Sequence, residues 1–478
     1  MAPLPLIRQR WTGALLGLGF IGWPALAPGL QAAEPLQLAR VSATALPPSS
    51  VQPAPGSRGP LVRVLLLEDQ GLALRPAAES AGLRLRDGQG RVLGEWTGAP
   101  TLQLVQREGR VQVSLPEPLL AAEIWLEALA LPSDPDPGLW LQQRRYRGVL
   151  QVRPQGNGLQ VINHVPLETY LASVVGSEMP ASWPLEALRA QAVAARTYAL
   201  RSRRPAQAFD LKATVASQVY RGVESEAPST LAAVETTRGL VLTHDEALID
   251  AVFHSSSGGR TESSGDLWPR QLPYLVSVPD FDHGSPVRAW RQSLDGEQLR
   301  RAFPELDGVQ AIEVLSTSPT GRIRQARVVG MSGELLLTGP ALRSRLGLRS
   351  TWVRFEPLVP EPAPMAVPVA LPSALAAVPP LPALNQADSA ASPALQQGSE
   401  GSRASERLVG LVAVGRGFGH GIGMSQWGAL ALAQRGESFT AILRHYYRGT
   451  RLQPYGRLEA ATQQQEVSGS RLSVAGSP

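Results

Sequence analysis

Residues 166–198 read PLETYLASVVGSEMPASWPLEALRAQAVAARTY, and the change of hydrophobic period around this stretch decides the fold class. Just upstream, Val149–Arg153 and Leu159–His164 flank Gln155-Gly156-Asn157-Gly158, a strong hairpin signal. From Pro166 the period lengthens. Leu167, Leu171 and Val174 fall on one helical face behind a proline at the helix start, and Gly176 is the expected stop. The turn Ser177-Glu178-Met179-Pro180 then leads to a second helix that starts near Ser182–Pro184. Its stripe of Leu185, Leu188, Ala192, Ala195 and Ala199 is narrow and small, which predicts close packing against a neighbour. Strands feeding directly into a helix pair predict an α+β architecture.

Working outward, Val62, Val64 and Leu66, then Leu83 and Leu85, then Val111, Val113 and Leu115 alternate with other residues between Gly and Asp turns. Residues 59–145 are therefore expected to be β-rich. Downstream, Leu240–Thr243 and Ala247–His254 read as a hairpin. Ile249, Ala251 and Phe253 lie on one side of its second strand, and His254 ends it before the loop Ser255-Ser256-Ser257-Gly258-Gly259-Arg260. The main body is expected over 146–357. From 358 to 405 the composition turns to Pro, Ala, Ser and Leu without an aromatic residue, which reads as a flexible linker. A C-terminal block over 406–455 resumes with a strand at Leu408–Val414 and a run of alternate glycines from Gly415 to Gly423. Helices are expected at about Ser425–Gln434 and Ser438–Tyr447, and a polar tail over 456–478.

At the N-terminus, Arg8 and Arg10 precede an apolar run from Trp11 to Leu30 and then Gln31-Ala32-Ala33. This is the pattern of a signal peptide over 1–33, followed by a Pro/Ser/Ala leader over 34–58. An uncleaved membrane anchor is the alternative, and both readings export the rest of the chain. The 478 residues carry a net charge of +5 and are 43% hydrophobic, enough for a sizeable core. Lys212 is the sole lysine. No dense basic block with interleaved aromatics occurs, which argues against nucleic acid. There is no cysteine, so neither disulfides nor thiolate metal ligands are available.

Glu178 stands in a tight turn beside Met179, Pro180 and Trp183. A carboxyl group against apolar surface keeps its proton to higher pH, as a general acid needs, whereas spacing alone equally allows a helix-end glutamate paired with the backbone dipole. His254, Ser256 and Arg260 crowd hydrogen-bonding groups into a small volume, which suits a sugar, or satisfies the histidine locally. A Ser-His-Asp hydrolase through His254 with Asp266 or Asp250 is disfavoured because no G-x-S-x-G elbow occurs. The glycine run fits neither a dinucleotide fingerprint nor a phosphate loop. His420, Ser425 and Gln426 within and just after it are its candidates for contact.

Three blocks of this chain resemble the SpoIID/LytB family (stage II sporulation protein D and amidase enhancer). The first runs from Ile162-Asn163 through Glu178-Met179-Pro180 to Ala195-Arg196-Thr197-Tyr198, the second is Phe253–Glu262, and the third runs from Gly417 to Ala429 with His445-Tyr446-Tyr447. The resemblance implies a SpoIID-like mixed fold with a β-rich N-terminal part, a helical catalytic block and hairpins. It implies action on peptidoglycan glycan strands in the periplasm or cell wall as a lytic transglycosylase, with Glu178 as the catalytic acid and base. His254, Ser256, Arg260, His420, Ser425 and Gln426 would line the glycan cleft, and Arg189 or Arg196 would take a lactyl or peptide carboxylate. The alternative it implies is a non-catalytic, glycan-binding enhancer of an N-acetylmuramoyl-L-alanine amidase. Sporulation members place zinc-holding cysteines near Phe209–Tyr220, where this chain has Lys212 and Ser217, so no metal and no cofactor are expected.

Overall fold

The computed structural model describes residues 60–77, 82–98, 101–115, 117–129, 131, 137–358 and 410–458. The expected signal segment and leader, the linker apart from Leu358, and the tail beyond Leu458 lie outside these residues. Among the described residues, no helix is long and apolar enough to cross a membrane. Helices and sheets both build the molecule, and the class is α+β.

Two sheets form the N-terminal half. One has seven strands in the order Leu211–Lys212, Leu61–Asp69, Gly158–Pro166, Val149–Gln155, Ile124–Ala128, Leu83–Asp87, Val92–Trp96. The other has six, in the order Arg144–Tyr146, Leu139–Leu141, Gly71–Pro76, Leu102–Arg107, Arg110–Ser114, Leu119–Ala121. Alternate residues point inward, as the period of two requires. Val62, Val64, Leu83 and Leu85 of the first sheet thus share a core with Leu72, Leu74, Leu102 and Leu104 of the second. The expected hairpin forms with Gln155 opposite Gly158 and Val149 opposite His164. The boundary drawn at 145 falls inside one sheet, because Leu61 pairs with Pro166 and Leu150 with Leu126.

Helices α1 (Leu167–Glu178), α2 (Leu185–Arg201) and α3 (Pro228–Thr236) follow. Prolines Pro166 and Pro184 stand at the N-caps of α1 and α2, and Pro228 is the first residue of α3. Gly176 does not stop α1. A Cβ there would lie 1.9 Å from the Ser225 carbonyl oxygen, so the glycine serves a close approach to the neighbouring chain. The helix ends two residues later, where Met179 turns extended (φ −130, ψ 142), as a residue preceding proline prefers. Helix α2 is buried on every side rather than along one stripe: Ala187, Ala190, Val193, Ala194 and even Arg196 are covered. It sits between α1, α3, the strand Leu240–His244 and the helices Gln426–Gln434 and Phe439–Tyr446, so small residues are needed all round it.

The strand expected over Ala247–His254 ends at Leu248. Tight turns follow, with Ala251 N–H donating to the Ile249 carbonyl and Val252 N–H to that of Asp250. The chain becomes extended again at Phe253–His254, which pairs in parallel with Met424–Ser425. Ile249 and Ala251 are both buried, so the apolar alternation was a true burial signal that a strand and a pair of tight turns satisfy equally.

A second hydrophobic core, not apparent in the sequence, is built by residues 289–357 with 410–416. Trp290, Leu299, Phe303, Ile323, Val328, Leu342 and Ala413 meet there. The strand Gly410–Arg416 lies between Ala289–Asp295 and Val353–Pro357.

Candidate functional site

The site forms where the end of α1, the segment 217–220, the loop 253–262 and the glycine-rich segment 417–426 converge. Glu178 is the last residue of α1 and is half-buried. Its Oε1 accepts the Val219 N–H at 2.8 Å, and its Oε2 accepts from Gln426 Nε2 at 3.3 Å. The Val219 amide is held on both sides. Gln218 accepts from the Tyr170 hydroxyl and donates to the Ala195 carbonyl, tying it to α1 and α2. Tyr220 donates to Asn163 at 2.9 Å. The indoles of Trp183, five residues after Glu178, and Trp427, next to Gln426 in the chain, meet edge to face, 5.1 Å between ring centres.

Burial is the strongest influence on the Glu178 carboxyl and raises its pKa above the usual glutamate value. The Val219 and Gln426 hydrogen bonds and the Arg221 cation act in the opposite direction without cancelling it. The group is therefore biased toward keeping its proton while one of its oxygens is fixed by a backbone amide.

His254 is 5% exposed. Its Nδ1 lies 3.1 Å from the Ile422 carbonyl and so must donate to it, which leaves the Nε2 lone pair buried and without a partner. His420 packs 5.3 Å from it, ring centre to ring centre. The His420 Nε2 donates to the Phe253 carbonyl, and its Nδ1 accepts the Ile422 N–H. Burial pulls the pKa of both rings down, His420 to about 4, so both are neutral near pH 7. The structure thus brings Glu178 to Gln426 and His254 to His420, and strand pairing sets Ser425 opposite His254.

The remaining expected contacts are committed elsewhere. Ser425 is fully buried and caps the helix Gln426–Gln434, its Oγ accepting the Gly428 N–H. Ser256 donates to buried Asp282 and so faces inward. Arg260 is exposed and reaches Ser277 at 3.4 Å. Arg189 pairs with Glu186 and Thr236. Arg196 is 0% exposed: it grips Glu168 with two nitrogens and also donates to the Val234 and Leu240 carbonyls. Arg196 is thus fully engaged within the fold, while Arg189 is partly exposed and held by Glu186 and Thr236.

Other residues that hold the site had not been singled out. Asp280 accepts from Ser257 and from Tyr446, and Asp282 from Ser256 and the Gly258 N–H, so Ser256 and Ser257 each have their own carboxylate. Glu262 accepts from the hydroxyls of Ser318 and Thr320 and lies 4.0 Å from Arg322, with both charged side chains fully buried. Arg322 also donates to the Ser257 carbonyl at 2.7 Å, fastening the second core to the serine loop. Gly421 makes room for it: with φ +86, a Cβ there would fall 2.4 Å from the guanidinium carbon. Of these, Glu262, Gly421 and Tyr446 lay within quoted motifs, whereas Asp280, Asp282 and Arg322 are more than 20 residues from the serine-loop groups they hold, beyond any local pattern.

At the place where cysteines were noted as missing, Lys212 N–H donates to Ser217 Oγ at 3.1 Å and closes the loop. Among the described residues, no three His, Cys, Asp or Glu side chains are grouped to hold a metal ion.

Known proteins are similar to this chain in sequence. The family model described as "Stage II sporulation protein" (SpoIID) matches residues 155–244, which contain Glu178 and Val219. The chain is 29% identical over 313 residues to stage II sporulation protein D of Bacillus subtilis (strain 168), covering 61% of this chain and 76% of that one. It is 29% identical over 309 residues to the Bacillus amyloliquefaciens protein of the same name, covering 60% and 74%. It is 32% identical over 320 residues to the amidase enhancer of B. subtilis (strain 168), covering 60% of this chain and 40% of that relative, so it spans two fifths of that protein's length. The three sequence blocks fold into one site, and the family model and these relatives support the SpoIID/LytB family for this chain.

Proposed function

We propose that the protein is an exported lytic transglycosylase that cleaves peptidoglycan glycan strands between N-acetylmuramic acid and N-acetylglucosamine. The observation that carries this reading is the Glu178 carboxyl, half-buried, biased toward its protonated form and held by Val219 and Gln426. In the first step Glu178 gives its proton to the glycosidic oxygen as the bond from C1 to that oxygen breaks. The resulting carboxylate then takes the proton of the muramoyl 6-hydroxyl, whose oxygen bonds to C1 and closes a 1,6-anhydro ring. One carboxyl group returns to its starting state, and no water enters. This differs from hydrolases that divide the work between two carboxylates. No second carboxylate is hydrogen-bonded to Glu178 or its two partners among the described residues. Export rests on the N-terminal pattern of charge and apolar residues, and a wall location agrees with the relatives.

A second reading, a glycan-binding enhancer of an amidase, is favoured by the relative of that name. Purified protein incubated with glycan strands separates the two. The first reading predicts anhydromuramoyl products that disappear in Glu178→Gln, with the melting curve retained. Wild-type protein that yields no such product yet accelerates an amidase would establish the second instead.

A further inference from the structure

The amide that holds Glu178 belongs to no helix or strand. Val219 lies in the irregular segment 218–221, and its N–H goes to Glu178 Oε1 at 2.8 Å instead of into a ladder. Irregular backbone is more mobile than the elements it connects, so the direction of this amide depends on what its neighbours grip. Both neighbours are buried and paired. Gln218 Oε1 accepts from the Tyr170 hydroxyl at 3.1 Å, and its Nε2 donates to the Ala195 carbonyl at 3.3 Å. Tyr220 donates at 2.9 Å to Asn163, whose Nδ2 donates in turn to the Arg147 carbonyl at 2.9 Å. The rings of Tyr170 and Tyr220 pack together, 4.9 Å between centres, and join the two bridges into one unit. Val219 is thus pinned to α1 and α2 through one neighbour and to the strand Gly158–Pro166 through the other. A closed polar network in a buried place stiffens the backbone that carries it.

The consequence is chemical. In a protonated carboxyl group the carbonyl oxygen is the better acceptor, so an N–H fixed on Oε1 leaves the proton on Oε2. Oε2 is the oxygen beside Gln426. We propose that Tyr170 and Gln218 are positioning residues of the transglycosylase reaction: by fixing the Val219 amide on Oε1, they assign both proton transfers to Oε2 of Glu178. This deepens the glycan-cleaving reading and rests on it. Oε2–H protonates the glycosidic oxygen as the bond to C1 breaks, and Oε2 then takes the proton of the muramoyl 6-hydroxyl as that oxygen bonds to C1. Tyr170 and Gln218 act through the amide and not on the sugar. The titratable groups that bear on Glu178 are Arg221, from the segment of Val219, and Tyr170, from α1. Burial keeps the Tyr170 phenol neutral, so it remains a donor. The helix Gln426–Gln434 meets the carboxyl with Gln426, which does not titrate.

The test reads the amide first, without substrate. In the full chain labelled with ¹⁵N-valine, the Val219 resonance is identified by its loss in Val219→Ile and followed against pH. Its shift in the parent is expected to follow the titration of Glu178 and to lose that dependence in Glu178→Gln. Tyr170→Phe, which keeps the ring against Tyr220, and Gln218→Met both loosen the amide. Since the amide favours the anion, the titration midpoint is expected to rise by about one pH unit in each variant. On glycan strands kcat should fall about tenfold with KM within about twofold, and the alkaline limb of the pH-rate profile should move up with the midpoint. The double variant should lose little more than either single one, because both act on one amide. Circular dichroism melting curves report on folding, and Tyr170→Phe, the milder change, carries the test where Gln218→Met does not fold. Folded variants with an unmoved midpoint, whether kcat falls or not, would overturn the proposal, as would a Val219 resonance in the parent that ignores Glu178. A parent with the expected amide titration but no anhydromuramoyl product would keep the placement and overturn its catalytic role, so the two readings fail separately.

Discussion

Two opposing influences meet on Glu178: burial favours its neutral form, while the Val219 amide, Gln426 and Arg221 favour the anion, and burial prevails. Because the acid must be protonated to act, kcat/KM is expected to fall as pH rises through the raised pKa of this group, and a pH-rate profile measures that alkaline limb. The same shift acts on stability. The folded state holds this proton to higher pH than the unfolded chain, so the contribution favours folding at low pH and is lost as pH rises. Glu178→Gln should remove it and leave the protein no less stable near neutrality, a common property of catalytic positions. Arg196 makes a contrasting case. Its fully buried guanidinium is paired with Glu168, and Arg196→Met strands that carboxylate. Denaturant unfolding should show a loss of about 3–5 kcal/mol, the usual cost of breaking a buried pair from one side.

At the scale of elements, prolines and period were enough to find α1 and α2, and Ser425 and Ser438 to place the starts of the last two helices, because those signals act through neighbours in sequence. Gly176 misled because a glycine needed for close approach looks the same in sequence as one needed to stop a helix. The difference is measurable. In an exposed helix Gly→Ala stabilises by about 1 kcal/mol, but Gly176→Ala places a methyl against the Ser225 carbonyl and should instead destabilise by about 1–3 kcal/mol in chemical denaturation. Glu178 was singled out through the family motif and not through spacing. Its Val219 partner is a backbone amide, and a sequence carries no mark of which amide will face a side chain. Asp280 and Asp282 were likewise hidden, since each meets its serine across a loop of more than 20 residues. The segment between Leu358 and Gly410 leaves and returns at one point, with Leu358 N–H donating to the Gly410 carbonyl at 3.0 Å. Replacing residues 360–403 by a short turn should therefore keep the melting temperature and glycan binding within error, since the loop-closure entropy changes only slowly with length.

At the scale of the molecule, the sandwich of sheets and the helices around α2 hold one wall of the site, and the second core is fastened to the serine loop through Arg322 and Glu262. The second core escaped sequence reading because Val and Leu alternation reports burial but not which core a strand joins. Two relatives whose names point to different roles, stage II sporulation protein D and the amidase enhancer, are similar to this chain to nearly the same degree. Similarity therefore does not choose between cutting and stimulating, and the chemistry at Glu178 must. The most direct test is mass analysis of glycan digests made in ¹⁸O-labelled water. Ring closure by the muramoyl 6-hydroxyl predicts new anhydromuramoyl ends free of label, absent with Glu178→Gln. New reducing ends carrying ¹⁸O, or unlabelled anhydro ends that persist in the Gln variant, would contradict the account.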